Sequence, residues 1–147
     1  MKIFIGTSGW QYYHWYQKFY PKELKSKYFL AFYSKKFNCV EVNTSFYHFT
    51  KKETFEKWKD RVPKNFLFAV KLNRLFTHLR KLKLKREDKK LLENFFESVK
   101  VLGEKLGPIL VQLPPSFKDE KSLKNFFEVS FKIFTKFLRL FSSLKEG

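Results

Sequence analysis

The stretch that decides the fold is residues 39–47, Cys39-Val40-Glu41-Val42-Asn43-Thr44-Ser45-Phe46-Tyr47. Its apolar beginning predicts a buried strand, yet a carboxylate and an amide lie in its middle. Because successive strand side chains point to opposite faces, Glu41, Asn43 and Ser45 are expected on one face. An unpaired carboxylate in a sheet that is covered on both faces is costly, so Glu41 needs a cation or hydrogen-bond donors. The stretch therefore predicts the wall of a polar site.

Three further stretches predict strands, and helix patterns alternate with them. Residues of high strand propensity, closed by Gly, Pro or polar residues, fill segments 2–6, 65–73 and 108–115. Apolar residues at helical spacing fill segments 21–37, 50–61 and 87–102, and again from 119 onward. This alternation predicts the α/β class, with a parallel sheet, right-handed crossovers and outer helices. We therefore expect about four parallel β/α units in a single domain, residues 1–147.

The charge of the chain is strongly positive. Lys and Arg number 31 against 14 Asp and Glu, which gives a formal net charge of +17. Such a surface favours polyanions, among them nucleic acid, anionic lipid and phosphorylated metabolites. A thermophilic origin or a biased genome accounts for the same excess of lysine, so the charge alone does not choose a partner.

Length and composition indicate a globular protein. The chain has 147 residues, of which 44% are hydrophobic, enough for one domain with its own core. A single cysteine in an apolar strand, Cys39, argues against disulfides and favours a reducing compartment. No stretch approaches the roughly 20 uncharged apolar residues of a spanning helix. We therefore expect a cytoplasmic protein without a membrane span.

Five blocks of sequence, taken in their order along the chain, resemble a known family. They are Ile5-Gly6-Thr7-Ser8-Gly9-Trp10, then Phe19-Tyr20-Pro21, residues 40–47, Phe68-Ala69-Val70-Lys71 with Thr77-His78, and Gln112-Leu113-Pro114-Pro115-Ser116-Phe117. Together these blocks resemble the domain-of-unknown-function family 72, also called the YecE-like family. The resemblance runs from Lys2 to about Phe127 and implies a TIM-type (β/α) barrel. It implies no reaction, because the family has no agreed chemistry.

The resemblance also implies a longer protein. Members of the family continue through a second set of strands, whereas this chain stops at Gly147 after the fourth unit. We therefore expect a truncated barrel with about four of the eight units, and a divergent Phe-rich helical tail over residues 129–147. A sheet that does not close exposes an apolar face and an edge. Self-association, or pairing with a separately encoded second barrel half, is the expected consequence.

Polar residues accompany every predicted strand, and in barrels functional groups cluster at the carboxyl ends of the strands. The predicted catalytic residues are Glu41 as general base or ligand anchor, Lys71 as electrostatic stabiliser, and His78 as acid, base or phosphate contact. A structural ion pair between Glu41 and Lys71 is the alternative. Five polar residues are predicted to bind a ligand at the same end: Thr7, Ser8, Asn43, Asn73 and Gln112.

The loop after the first strand is rich in aromatic residues. Trp10, Tyr12 and Tyr47 are predicted ligand contacts, because such rings stack on a base or a sugar. The alternative is that they close the mouth of the barrel as aromatic plugs. Together with the basic run 81–90, the same loop predicts a different function, a nucleic-acid-binding module without catalysis.

The sequence indicates the kind of ligand better than the reaction. We expect a polar small molecule or a nucleotide-like ligand, with acid–base chemistry of the hydrolase or lyase type, rather than redox chemistry, if the protein is an enzyme. Gly6-Thr7-Ser8-Gly9 lacks the lysine and the spacing of a phosphate-binding P-loop, so no cofactor is indicated. The histidines lack metal-site spacing, and no metal is expected. A nucleic-acid module and an inactive truncated fragment are the alternatives.

Overall fold

Strands and helices alternate along the chain. The computed structural model describes the backbone of residues 1–145 and the side chains of residues 1–135. The strands are β1 Gly6–Ser8, β2 Cys39–Val42, β3 Leu67–Lys71 and β4 Leu106–Leu110. The α-helices are α1 Phe29–Tyr33, α2 Thr44–Tyr47, α3 Lys52–Lys59, α4 Arg86–Lys100 and α5 Glu120–Lys145. A π-helix covers Leu75–Leu79, and short 3-10 turns cover Tyr13–Trp15, Ser26–Tyr28 and Gly103–Lys105.

The strands form one parallel sheet in the order β1-β2-β3-β4. Ser8 pairs with Glu41, and Glu41 pairs in turn with Ala69. Lys71, two residues further along β3, pairs with Leu110 of β4. The predicted α/β class with four parallel strands is confirmed, and all four carboxyl ends lie at one edge of the sheet.

The two faces of the sheet differ in burial. Val40, Val42, Phe68 and Val70 are at most 1% exposed and pack in one core with side chains of α1, α3 and α4. On the other face, which carries Ser8, Glu41, Ala69 and Lys71, the strand side chains are partly or fully exposed. The alternation of burial along β2 and β3 therefore defines a packed helical side and an open side, and the polar residues of β2 and β3 lie on the open side.

The first strand begins later than predicted. Ile3 and Ile5 are 64% and 63% exposed rather than paired in the sheet. Pairing starts at Gly6 because its partner, Cys39, is the first residue of β2. Upstream, the Asn38 side chain accepts a hydrogen bond from Ile5 N at 2.7 Å and donates one to Ile3 O at 2.8 Å. Gly6 itself is required by close packing, since a Cβ there would lie 2.0 Å from the carbonyl oxygen of Cys39.

The second strand ends earlier than predicted. β2 stops at Val42, and α2 occupies the residues that were expected to continue the strand. The hydroxyl of Ser45 lies 2.6 Å from Lys71 O and 3.0 Å from Val42 O, which turns the chain out of the sheet. Ser45 is consequently buried, and the prediction that it shares the open face with Glu41 is wrong.

Two other predicted boundaries are also wrong. The helix expected over 21–37 is reduced to a 3-10 turn and α1, because the segment after Pro21 turns so that the rings of Tyr20 and Phe29 stack at 3.8 Å. The strand expected over 108–115 lies at Leu106–Leu110 instead. β3 ends at Lys71, the partner of Leu110, so residues beyond Leu110 have no strand residue to pair with.

The last helix, α5, confirms the predicted start near Glu120. In the described part of the chain, none of the helices combines the length and apolar character needed to cross a bilayer. Four apolar side chains predicted for this helix lie outside the described residues: Phe137, Leu138, Leu140 and Phe141.

Candidate functional site

A chain of hydrogen bonds joins the ends of β1 and β2. The Ser8 hydroxyl donates to Glu41 Oε1 at 3.0 Å. The Asn43 side-chain amide donates in turn to the Ser8 hydroxyl. All three side chains retain contact with solvent. The Glu41 carboxylate is therefore oriented by the hydroxyl of Ser8, which is itself held by Asn43.

Lys71 brings a positive charge to the same place from β3. Its Nζ lies 3.9 Å from Glu41 Oε1 and 4.9 Å from the centroid of the Phe46 ring. The Lys71 side chain is 15% exposed and the Glu41 side chain 28%. The face of the Phe46 ring attracts the Lys71 ammonium through a cation–π contact. The pair is thus partly desolvated yet reachable from the open side of the sheet.

Two buried residues fix the position of Lys71. Ser45 contacts the carbonyl oxygen of Lys71, as described above. Asn73, only 3% exposed, donates from its amide to Ser45 O at 2.9 Å and accepts from Leu75 N at 2.9 Å. These bonds tie the end of β3 to α2 on one side and to the π-helix on the other. Asn73, which the sequence predicted as a ligand contact, thus has both ends of its side-chain amide engaged within the fold.

His78 lies on the π-helix that follows β3. Its ring meets the Phe46 ring edge-on with 5.2 Å between centroids, and its Nδ1 lies 2.8 Å from Thr77 Oγ1. Phe46 therefore contacts both Lys71 and His78, and it links the two predicted catalytic groups. The structure brings Glu41, Lys71 and His78 into one cluster, together with Ser8, Asn43 and Phe46.

The segment after His78 is clamped by a buried carboxylate. Asp88, 1% exposed in the first turn of α4, accepts hydrogen bonds from Arg80 Nε at 2.7 Å and from Lys85 N at 2.9 Å. Burial alone raises the pKa of Asp88, but the Arg80 and Lys85 hydrogen bonds outweigh it and hold the pKa below its ordinary value. Leu82, itself buried, donates its N–H to Phe76 O at 2.8 Å. The segment that follows the π-helix is therefore fixed both to α4 and to the π-helix itself.

Three other predicted ligand residues lie away from the cluster. Thr7 faces the helical side, where its hydroxyl lies 2.9 Å from the hydroxyl of Tyr33. Strand alternation explains this, because neighbours such as Thr7 and Ser8 point to opposite faces. Trp10 is 4% exposed and packs edge-on against Trp58 at 5.0 Å, which agrees with a core ring. Gln112 is exposed beyond β4 at the same edge of the sheet.

The remaining two predicted aromatic contacts border the cluster. The Tyr12 hydroxyl donates to Ser8 O, and its ring packs 5.0 Å from Trp15. Tyr47 is 61% exposed and lies edge-on to Phe46 at 5.0 Å. Both tyrosines line a small cavity together with Asn43.

Sequence reasoning missed the roles of Phe46 and Ser45. Both were quoted within the second strand, and neither was nominated for the site. The signal was present, since three polar residues at positions 43–45 after an apolar run mark the end of a strand better than its continuation. A short helix there places Phe46 over Lys71.

The basic run 81–90 is partly neutralised by its neighbours. Lys83 Nζ lies 3.2 Å from Asp119 Oδ2, and Lys90 Nζ lies 3.7 Å from Glu93 Oε2. Hydrogen bonds from the backbone and hydroxyl of Ser122, with Lys83 beside them, lower the pKa of Asp119 to about 2. Within the described residues, no three His, Cys, Asp or Glu side chains come together as metal ligands would.

The fold and the cluster define a class: an α/β protein whose polar side chains gather at the carboxyl ends of parallel strands. The family model of a protein of unknown function, DUF72, matches residues 4–139. The chain belongs to this family, and the resemblance predicted from its motifs is confirmed. The match extends past Val129, into the segment predicted to be divergent.

Two curated relatives belong to the same group. The UPF0759 protein YunF of Bacillus subtilis is 31% identical over 125 residues, which cover 81% of this chain and 42% of YunF. The UPF0759 protein YecE of Escherichia coli K12 is 28% identical over 115 residues, which cover 78% of this chain and 39% of YecE. The chain therefore spans about two fifths of the length of these relatives.

Two solved structures share the fold. A DUF72 family protein from Thermotoga maritima MSB8 matches with a TM-score of 0.70 at 29% identity, over 89% of this chain and 52% of that one. A DUF72 family protein from Enterococcus faecalis V583 matches with a TM-score of 0.70 at 23% identity, over 87% of this chain and 47% of that one. The α/β arrangement described above is therefore shared by these family members.

Proposed function

We propose that the cluster around Glu41 binds a polar small molecule or a nucleotide-like ligand and moves a proton on it. The observation that carries the proposal is the meeting of Glu41 and Lys71, from different strands, at 3.9 Å with both side chains partly exposed. Opposite charges gathered at the carboxyl ends of parallel strands are typical of functional sites in α/β proteins. The family description names no reaction, so the proposed chemistry is inferred from the side chains of the cluster.

Each group has a distinct role in this proposal. Glu41 acts as general base or anchors a donor group of the ligand, because its carboxylate is oriented by Ser8 and its side chain is 28% exposed. Lys71 stabilises negative charge that develops on the ligand. His78, across the Phe46 ring from Lys71, exchanges a proton with the ligand. This set suits hydrolase- or lyase-type acid–base chemistry.

The test is a binding screen with matched variants. A panel of sugar phosphates, nucleotides and small carboxylic acids is screened by ligand-observed NMR against the wild type, Glu41→Gln and Glu97→Gln. Glu97 is an exposed carboxylate on α4, so its variant controls for the loss of one negative charge. We expect at least one compound to bind to the wild type and to Glu97→Gln, and to lose at least about tenfold in affinity in Glu41→Gln. An affinity that is the same in Glu41→Gln as in the wild type contradicts the proposal.

A second candidate function is a nucleic-acid-binding module without catalysis. Its support is the net charge of +17 and exposed aromatic residues in a basic segment, with Tyr13 98% exposed and Tyr28 51% exposed beside Lys27. Single-stranded nucleic acid stacks on such rings and pairs its phosphates with lysine. The partial neutralisation of the basic run 81–90 argues against this second function.

Salt dependence separates the two functions. Binding of a fluorescent single-stranded oligonucleotide is titrated between 50 and 200 mM NaCl, conditions over which phosphate contacts lose about 10³-fold or more in affinity. A steep loss that is unchanged in Glu41→Gln favours the module. A small ligand that is lost in Glu41→Gln, with oligonucleotide binding too weak to saturate, favours the pocket.

We also propose that the fold belongs to a TIM-type barrel whose open side is covered by other polypeptide, either a second copy or a separately encoded second half. Its support is the solvent-exposed face of the sheet that carries Ser8, Ala69 and Lys71. A second unfilled surface also supports association: a cavity of about 870 Å³ between β4 and α5, on the helical side of the sheet, which is lined mainly by apolar side chains. Exposed apolar surface of this kind is typical of interaction sites.

A further inference from the structure

A small cavity adjoins the Glu41 cluster, between the segment after β1 and the short helix α2. Its volume is about 200 Å³, and its lining includes Trp10, Gln11, Tyr12, Asn43 and Tyr47. Asn43 belongs to both the cavity and the cluster, because its amide donates to the hydroxyl of Ser8. A group seated in the cavity is therefore directly adjacent to the hydrogen-bond chain that ends on Glu41.

The walls of the cavity are held in place by the fold. Trp10 is buried against Trp58, and the Tyr12 hydroxyl is bonded to Ser8 O. Gly9 makes this arrangement possible, since its φ of +84° favours glycine and a Cβ there would lie 2.8 Å from the Tyr12 hydroxyl. Tyr47, 61% exposed, lines the cavity on the solvent side.

The volume of the cavity and the chemistry of its lining limit the kind of group that can occupy it. Pockets for drug-sized ligands have volumes of about 300–1,000 Å³, so a cavity of about 200 Å³ suits one ring rather than a whole nucleotide. The polar side chains of the lining, Gln11, Asn43 and Thr44, are amides and a hydroxyl, which both donate and accept hydrogen bonds. Sugar hydroxyls do the same, and the C–H face of a sugar packs well on tyrosine rings.

We propose that this cavity is a subsite for a single sugar ring, which is part of the ligand that the Glu41 cluster binds. The inference rests on the proposed function, and it names the part of the ligand that the tyrosines recognise. The reacting group of that ligand lies outside the cavity, toward Glu41 and Lys71. Tyr12 and Tyr47 are then binding residues, and Asn43 orients both the sugar and Ser8.

The experiment uses simple probes of the ring alone. Methyl β-D-glucopyranoside, methyl β-D-ribofuranoside and uracil are titrated into the full chain by saturation-transfer NMR and tryptophan fluorescence. We expect one of the glycosides to saturate. Tyr47→Ala should weaken it by about tenfold or more, the range found for aromatic stacking, whereas Tyr47→Phe should stay within about threefold. Tyr28→Ala, an exposed tyrosine outside the cavity, is the matched control.

The outcomes separate this inference from the proposed function. Glu97→Gln, which removes an exposed carboxylate of α4 outside the cavity lining, should leave glycoside affinity within about threefold. Failure of both glycosides to saturate overturns the sugar subsite, and so does saturation that is indifferent to Tyr47→Ala. Tighter binding of uracil with the same dependence on Tyr47 overturns it in favour of a base subsite. Loss of the screened ligand in Glu41→Gln supports the proposed function whichever of these results is found.

Discussion

Lys71 reaches back along the sheet to Glu41: it lies two residues beyond Ala69, the strand partner of Glu41, and its ammonium is 3.9 Å from the carboxylate. An ion pair in this position has two possible uses. A structural pair stabilises the fold, and a functional pair is available to a ligand. The energetic coupling between the two side chains distinguishes these uses.

Glu41→Gln, Lys71→Met and the double variant form a thermodynamic cycle. Because both side chains are partly exposed, we expect a coupling energy of less than about 1 kcal/mol, as for solvent-accessible pairs. Urea unfolding of the four proteins at pH 7 measures it. A coupling of about 3 kcal/mol or more would instead identify a structural strut, the size expected when a buried pair is broken.

Asp88 should make stability depend on pH. Its pKa is lowered in the folded protein, so the ionised form stabilises the fold fully above the unfolded pKa of about 3.9 and this contribution is lost as the pH falls below it. At pH 7 we expect Asp88→Asn to lower the free energy of unfolding by about 1.5–3 kcal/mol, since two hydrogen bonds to a charged group are weakened. Urea unfolding from pH 7 to pH 2.5 should show the two proteins converging.

The control for Asp88 is its neighbour Glu87. Glu87 is exposed in the same turn of α4, so Glu87→Gln removes a charge without removing the bonds to Arg80 and Lys85. We expect a change within about 0.5 kcal/mol for this variant. Equal effects of the two substitutions at all pH values would show that Asp88 stabilises the fold only through its negative charge and not through its hydrogen bonds.

Gly6→Ala should disrupt the pairing of β1 with β2. The added Cβ would lie 2.0 Å from Cys39 O, and backbone on both sides must move. We expect a loss of about 3 kcal/mol in the free energy of unfolding, at the upper end for overpacking. Ile5→Ala, one residue upstream and 63% exposed, should change stability by less than about 0.5 kcal/mol. Circular dichroism during urea unfolding measures both, and a neutral Gly6→Ala contradicts the close approach.

The apolar cavity between β4 and α5 predicts association in solution. Phe131 is 70% exposed on α5 and lines the cavity beside β4. We expect light scattering to give a mass above that of one chain at micromolar concentration, and Phe131→Asp to shift the population toward the single chain. Tyr28→Asp, on a surface away from the cavity, should leave the mass unchanged. A wild-type protein that stays a single chain at all concentrations contradicts self-association and leaves the second-half partner, which co-purification would reveal.

The sequence predicted the fold because its signals are local. The apolar run Phe68-Ala69-Val70 lies in a strand, and the helical stripe of α4 buries the face that its spacing predicts. The strand ends could not be predicted, because they depend on partners distant in sequence. β4 ends at Leu110 since β3 ends at Lys71, and β2 ends at Val42 since Ser45 bonds to the end of β3.

The site was predicted in part for a similar reason. Glu41, Lys71, Ser8 and Asn43 follow from strand order and alternation, and the structure brings them together. Thr7 and Asn73 were assigned to the site from their position at strand ends, but the faces they point to depend on Tyr33 and Ser45, which pattern alone does not place.

The bonds that Ser45 and Asn73 make to the end of β3 have a consequence for protein engineering. They hold the acid, the amine and the aromatic ring on one continuous run of the chain, residues 41–73, that carries its own internal fastening. Exchanged as a block between members of the family, this run would carry Glu41, Lys71 and Phe46 together with the hydrogen bonds that position the end of β3.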